Sequence, residues 1–379
     1  MVLHFYAAGL LLLAALPAVM MLRNLPLFRP LPTASEDAMQ AAASGERVAV
    51  LIPARDEAAS IGACLQHVLA CPWPDLEVWV LDDGSTDATR SICESWAGRD
   101  ARVSIIEGLA LPEGWNGKQH ACWRLSQATQ ASWLLFIDAD VRLTADAIPR
   151  LLSSASSQQV DLLSGFPFQE TRTWSEKLLI PLMHTILLGY LPLDRMRVST
   201  GPEFAAGCGQ LFFARHEAYR AVDGHRAIAQ SRHDGIQLPR VFRRHGLKTD
   251  IFDASDLAVC RMYTNAREVI RGLLKNATEG LASDKTIIPF TILLLGGAVL
   301  PSVSFWCSLA GSGAWYLTLA FAVAVVLSYC PRMMAAKRFR QSWLGAVLHP
   351  VAVLLFLSLQ WVAWAAERCG YRVTWRGRN

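Results

Sequence analysis

Hydrophobic positions follow two rhythms along this chain. Four stretches are almost wholly apolar: Leu3 to Leu22, Ile287 to Leu309, Ala314 to Cys330 and Leu344 to Ala366. Each is close to the roughly 20 residues that a helix needs to cross a bilayer, so four membrane segments are predicted. A cleaved signal peptide would also begin like the first. However, no basic residue precedes its apolar run and no clear small-x-small site precedes Arg23, which favours a retained anchor. The second rhythm fills the interval that follows. Arg47 to Pro53, Leu76 to Leu81, Val103 to Ile106 and Trp133 to Ile137 are short apolar runs, separated by amphipathic segments at Glu57 to Ala70, Thr86 to Ala97 and Lys118 to Thr129. Near-continuous apolar strands alternating with helices predict an α/β domain, its sheet mostly parallel and covered on both faces.

Pro26, Pro30 and Pro32 followed by small and polar residues mark a linker. Residues 174 to 193 are very apolar but interrupted by Glu176, Lys177, Pro181, His184 and Pro192, which fits an interfacial helix or a buried core helix. A Gly-containing strand from Phe204 to Ala214 and a helix from Ile236 to His245 then return to the domain. The resulting layout is an anchor at 1–23, a linker at 24–46, a folded domain at 47–285, about three membrane helices at 286–367 and a basic tail at 368–379.

Charge adds orientation. Arg332, Lys337, Arg338 and Arg340 lie between the third and fourth apolar stretches, whereas the loop near Gly311-Ser312-Gly313 has no charge. The positive-inside rule places the basic loop in the cytoplasm, and the whole 23–285 region with it. Four clean spans would then put the tail, with Arg368, Arg372, Arg376 and Arg378, on the far side, against the same rule. Nine cysteines without C-x-x-C spacing fit a reduced compartment and disfavour a zinc site or a disulfide framework. The net charge of +4 is mild and the basic residues do not alternate with aromatics, so a membrane surface is the expected partner and nucleic acid is not.

Ligands of such sheets sit beyond the carboxyl ends of the strands. Those ends read Pro53-Ala54-Arg55-Asp56-Glu57, Asp82-Asp83-Gly84-Ser85-Thr86-Asp87 and Asp138-Ala139-Asp140. Two carboxylates one residue apart suit Mg²⁺ or Mn²⁺, which fill their remaining positions with substrate phosphates. Alone, an Asp-x-Asp is as readily a solvated strand end; three acidic clusters on one edge make the pair informative. A carboxylate in the Asp82 to Asp87 turn can accept a hydrogen bond from a base N–H, although a capped helix start explains the same residues. Gly114-Trp115-Asn116-Gly117-Lys118 places glycines where backbone must approach a ligand and Lys118 where a helix begins and an anion is welcome. Asp234, in His233-Asp234-Gly235, is a candidate base for an attacking hydroxyl, with an N-cap aspartate as the plainer alternative. Arg261 and Arg267 suit a leaving diphosphate, an acceptor or an interfacial helix.

Together these motifs resemble a membrane-anchored family 2 glycosyltransferase of GT-A fold. They match its motif series in order across residues 47 to about 285. Within that family the chain is most similar to the hopanoid-associated and carotenoid glycosyltransferases, through the Gly-Trp-x-Gly-Lys loop, the Arg261-Met262-Tyr263 stretch and Trp375-Arg376-Gly377-Arg378. The resemblance implies a cytoplasmic GT-A catalytic domain in a bacterial inner membrane or its equivalent, and inversion at the sugar carbon. It implies that Pro53, Arg55, Glu57, Asp82, Asp83, Lys118 and Asp138 bind the nucleotide, that Asp138 and Asp140 hold Mg²⁺ or Mn²⁺, and that Asp234 is the base. Two departures from the family pattern stand out. His233-Asp234 replaces a paired acidic motif, and the Gln/Arg-x-x-Arg-Trp motif of processive and ceramide-directed relatives is absent after Asp234. One hexose moved from a UDP-sugar to a lipid hydroxyl fits better than polymer synthesis. Transfer to a polyprenyl phosphate is the nearest alternative; a noncatalytic scaffold that binds nucleotide or lipid is an alternative of another class.

Overall fold

The structure, a computed structural model, describes residues 1–33, 45–311 and 314–370. Residues 34–44 of the linker, Ser312 and Gly313 of the uncharged loop, and Arg372, Trp375, Arg376, Gly377 and Arg378 of the tail lie outside the described residues. The chain divides into two compact units. Among the described residues, one comprises those of 28–170 and 195–262, the other those of 1–27, 171–194 and 263–370. The sequence reading kept residues 47–285 together as one domain; by their contacts, residues 171–194 and 263–285 group with the apolar helices.

The first unit is built on eight strands: β1 (Val48–Ala54), β2 (Leu76–Asp82), β3 (Val103–Glu107), β4 (Trp133–Ile137), β5 (Val141–Leu143), β6 (Leu162–Gln169), β7 (Leu211–Arg215) and β8 (Thr249–Cys260). Their order across the sheet is β3-β2-β1-β4-β7-β6-β8-β5. The first four strands are parallel, as expected from their unbroken apolar runs. From β4 onward the sheet is mixed, because β7 runs antiparallel to both β4 and β6, and β5 antiparallel to β8. Two apolar cores cover the sheet, one on each face, as the period-2 alternation of a strand requires. Val48, Val50 and Ile52 of β1 share one core with Ile61, Leu65 and Val68 of the helix Ile61–Leu69; Ala49 and Leu51 share the other with Ala121 and Leu125 of the helix Gly117–Gln127. Burying these runs removes apolar surface at about 25 cal/mol per Å², and their failure to alternate with polar residues is the mark of a strand covered twice.

The antiparallel seam at β4 and β7 positions the chemistry. Trp133 pairs with Arg215 and Ile137 with Leu211, and the rings of Trp133 and Phe213 stack at 4.8 Å and 2°. The residues just before β7 therefore arrive beside the residues just after β4. The expected strand from Phe204 to Ala214 is shorter than predicted. Its first half is a 3-10 turn at Pro202–Phe204 and a loop, and only Leu211–Arg215 is strand. Helix starts also shift. Thr89–Ala97 begins three residues later than Thr86, because the side chains before it are spent on loop contacts.

In the second unit, four helices are long and apolar enough to cross a membrane: Val2–Asn24, Ile287–Ala310, Trp315–Arg338 and His349–Arg368. The stretch from 174 to 193 is neither of the single helices expected. It is the short helices Trp174–Leu179 and Leu182–Tyr190 and the start of Leu193–Val198, with Pro181 and Pro192 at the joints. Asn24 ties the first apolar helix to this stretch through bonds to the carbonyls of Leu188 and Leu191 at 2.8 and 2.6 Å. Arg332, counted above among loop charges, lies inside the third long helix and is completely buried.

Candidate active site

The carboxyl ends of β1 and β2 are laced together. The Asp83 amide donates to the Ala54 carbonyl at 2.8 Å. Asp56 takes a positive φ of 52°, which lets its amide donate to Ser85 Oγ at 3.0 Å while its Oδ1 accepts from the Thr86 amide at 2.7 Å. The Glu57 amide donates to Thr89 Oγ1 at 2.7 Å, and the Ala58 amide to Asp87 Oδ2 at 3.0 Å. Arg55 Nη1 donates to the Asp83 carbonyl at 2.6 Å and lies 3.7 Å from Asp83 Oδ2. Asp82 and Asp83 are both buried. Gly108, at the end of β3, completes this corner. A Cβ there would lie 2.8 Å from Asp83 Cα and 2.9 Å from the Asp82 carbonyl, whose oxygen accepts from the Gly108 amide at 2.7 Å. Sequence reading did not single out Gly108; its place just past a strand on the ligand edge was the available signal.

The second cluster assembles on the β4–β7 seam. Asn116 caps the helix Gly117–Gln127, accepting from the Lys118 amide at 3.1 Å, and Lys118 points its ammonium back to the sheet edge. Its Nζ lies 2.7 Å from Asp138 Oδ1 and 3.0 Å from Asp234 Oδ2, and donates to the Gly209 carbonyl at 3.1 Å. Burial alone would pull the ammonium down, but the Asp138 and Asp234 carboxylates outweigh it and hold Lys118 well above its usual value. Asp138 follows β4, and its amide meets the Gln210 carbonyl at 3.3 Å, across the seam. Asp234 is the first residue of the helix Asp234–Arg244, and its Oδ1 accepts from the Gly235 amide at 2.8 Å. Gly209 leaves room for this carboxylate, since a Cβ there would fall 2.1 Å from Asp234 Oδ1 and push the side chain from its place. A small pocket is lined by Pro53, Lys118, Asp138, Gly209, His225 and Asp234, among others, which joins the second cluster to the end of β1.

Asp140 stands where β5 begins, and Val141 pairs with Cys260 of β8. Burial and then Asp138 push its carboxyl up to about 7, against the lowering influence of a Cys260 hydrogen bond. Its Oδ1 is buried with no hydrogen-bond partner. Two oxygen ligands one residue apart, one of them under-coordinated and costly to ionise, fit a hard divalent cation. Arg261 directly follows Cys260 and belongs to this sheet unit, whereas Arg267 is the second residue of the helix Ala266–Ala277 in the other. His225 was not anticipated. Burial pushes it down to about 3 despite the nearby Asp234, and its Nδ1 meets the Tyr219 hydroxyl at 2.8 Å, so it is a neutral wall of the pocket.

Residues 49–222 match the model of the family described as Glycosyl transferase family 2. They form a family 2 glycosyltransferase domain. The fold of this domain with its flanking helices is GT-A. It is shared with the mannosyltransferase PcManGT from Pyrobaculum calidifontis, solved in complex with GDP-Man and Mn²⁺, at a TM-score of 0.53 and 18% identity over 96% of this chain and 99% of that one. Curated relatives of the family 2 domain include the 4,4'-diaponeurosporenoate glycosyltransferase of Staphylococcus haemolyticus, 26% identical over 66% of this chain and 66% of that protein. The beta-monoglucosyldiacylglycerol synthase of Synechocystis is 27% identical over 40% of this chain and 32% of that protein. The chain thus spans just under two thirds of the first relative's length and about one third of the second's.

Proposed function

We propose that the chain is an inverting, metal-dependent hexosyltransferase that moves one sugar from a UDP-sugar to a hydroxyl of a membrane lipid. The lipid would be a carotenoid, a hopanoid-like terpenoid or a related molecule, and the catalytic unit would face the cytoplasm of a bacterial cell membrane. One observation carries the reading: Lys118, Asp138 and Asp234, from three distant parts of the chain, meet at the ligand edge of the sheet with Asp140 beside them. The four apolar helices and the lipid-directed relatives support a lipid acceptor.

In this reading the laced corner of Pro53, Arg55, Glu57, Asp82 and Asp83 receives the nucleoside, and Lys118 the diphosphate. Asp138 and Asp140 hold Mg²⁺ or Mn²⁺, which when bound supplies Lewis-acid stabilisation of the departing nucleotide. Arg261, which follows the last strand of the sheet unit, is assigned to the diphosphate; Arg267, in the other unit, is assigned to the acceptor or the membrane surface. When Lys118 exchanges its two carboxylates for the diphosphate, Asp234 Oδ2 is released as an ionised base. It takes the proton of the acceptor hydroxyl as that oxygen bonds to the sugar carbon and the bond to the β-phosphate oxygen breaks, its electron pair leaving on UDP. Attack opposite the leaving group inverts the centre, and positioning supplies much of the remaining acceleration.

The test is purified protein in detergent with Mg²⁺ or Mn²⁺, total membrane lipid and labelled UDP-sugars, followed by mass analysis of the lipids. The expected product is a lipid heavier by one hexose, lost in Asp138→Ala and Asp234→Asn. Transfer that survives Asp234→Asn would replace the hydroxyl acceptor with a polyprenyl phosphate, whose oxygen needs no base. Nucleotide binding without turnover from any donor would replace the enzyme with a scaffold.

A further inference from the structure

Arg332 lies in the helix Trp315–Arg338, within the apolar unit, and its side chain is among the largest that are completely buried. A guanidinium keeps its charge and carries five N–H donors, so burial obliges it to find acceptors. Gln341 Oε1 accepts from Nη1. Nε and Nη2 are buried with no partner, and no carboxylate lies within ion-pair distance among the described residues.

The surroundings add no negative charge. Gln341 Nε2 lies 3.3 Å from His184 Nδ1. Because the amide oxygen is taken by Arg332, the amide nitrogen donates to Nδ1, and His184 carries its proton on Nε2. Burial, then the charges of Arg332 and Arg338, push that imidazole down to about 3, so it is neutral. His349 opens the helix His349–Arg368; it too is buried, within electrostatic reach of Arg332, and its Nδ1 has no partner. An uncompensated cation and two buried imidazoles therefore converge at the positive end of a 20-residue helix. Burying a charge without a counter-charge is costly, and an ionisable side chain inside a membrane span marks a site of function more often than one of stability.

We propose that this cluster binds an oxyanion, the phosphate or carboxylate headgroup of a membrane lipid, with Arg332 Nη2 and Nε as its donors. Free inorganic phosphate offers the same oxygens. The lipid is favoured because the helix Trp343–Val347, between Gln341 and His349, exposes Trp343, Leu344 and Val347, an apolar track for a hydrocarbon chain. The site is independent of sugar transfer and stands whether or not the chain is a transferase.

The full chain, purified and delipidated in a neutral detergent, is to be melted with phosphatidylglycerol, with diacylglycerol and with inorganic phosphate, and bound lipid is to be counted by native mass spectrometry. The expected result is a rise in melting temperature of several degrees and one retained lipid with phosphatidylglycerol alone, with affinity reduced at least tenfold in Arg332→Gln. Arg332→Met without lipid should melt no lower than the wild type, since it removes an uncompensated charge; this separates lost binding from lost folding. Equal stabilisation by inorganic phosphate would overturn the lipid as its source. No rise in the wild type with any of the three, or unchanged phosphatidylglycerol binding in Arg332→Gln, would overturn the site.

Discussion

Replacing Lys118 with Met keeps most of the side chain's length and volume but deletes the ammonium that holds Asp138 Oδ1 at 2.7 Å and Asp234 Oδ2 at 3.0 Å. Removing one partner of a buried ion pair costs about 3–5 kcal/mol, chiefly because the other charge is stranded. The side chain of Asp234 is 12% exposed and takes that cost nearly in full, whereas that of Asp138, 30% exposed, is partly relieved by solvent. The expected loss for Lys118→Met is therefore about 3 kcal/mol at pH 8. About 2–4 °C of melting temperature accompany each kcal/mol in a unit of this size, so the fall should be roughly 6–12 °C. The sign of its pH dependence follows. In the variant the two carboxylates face each other without a cation, so like charges are stranded together; the penalty is fullest when both are ionised and is relieved once a proton neutralises the pair on acidification. Melting followed by intrinsic fluorescence at pH 8 and pH 5.5 should show the gap to wild type narrowing at the lower pH. Mn²⁺ should stabilise the variant more than the wild type, because Lys118 no longer competes for Asp138. A variant that melts within about 2 °C of wild type at pH 8, or a gap that widens on acidification, would refute the argument.

Other outcomes are expected from single contacts. Gly209→Ala drives a Cβ against Asp234 Oδ1 and should cost about 1–3 kcal/mol of stability and about 100-fold in transfer rate, read by melting and by product formation. Gly108→Ala forces apart the Asp82–Asp83 turn and should weaken UDP binding about tenfold, or about 1.4 kcal/mol, in titration calorimetry. With the Asp140 carboxyl at about 7, metal binding must expel its proton. Mn²⁺ affinity should fall as pH drops below 7, and calorimetry in buffers of different ionisation enthalpy should register the released proton, which Asp140→Asn would not supply.

The first half of the sheet was legible because β1 to β4 are unbroken apolar runs set between amphipathic helices, a pattern that only a doubly covered parallel sheet satisfies. Of the second half only β7 was legible, within the apolar run from Phe204 to Ala214. β6 reads Leu162-Leu-Ser-Gly-Phe-Pro-Phe-Gln, and β8 contains Asp250, Asp253 and Asp256; both break the pattern locally and are held by their neighbours. Gly165, a poor strand residue, is there because a Cβ would lie 2.7 Å from the Phe252 ring and 2.9 Å from Ala254. Asp138 and Asp140 could be named from a strand end, Lys118 from a glycine loop and Asp234 from the His233-Asp234-Gly235 run before a helix. Gly209 and His225 could not, since what brings them to the site is the reversal of β7 against β4, a long-range pairing with no local signature. The charges of Arg332 to Arg340 were counted together as loop residues because a helix that runs on to Arg338 looks, in composition, like one that stops at Cys330.

The lacing of the β1 and β2 loops also fixes how the site can hold negative charge. The amides of Asp56, Glu57, Ala58, Asp83, Ser85, Thr86 and Thr89 all donate to oxygens of these same two loops or to the Ala54 carbonyl. A glycine-rich phosphate cradle works by leaving such amides unspent and aimed at the ligand. Here these seven are consumed, so under the proposed function they hold the shape of a nucleoside slot rather than cradle a diphosphate. Under the proposed function, charge neutralisation then falls to side chains and a metal: Lys118, Arg261 and the divalent cation, of which only the metal can be withdrawn. A chelator or a rise in ionic strength should therefore loosen the phosphates while leaving the nucleoside slot intact.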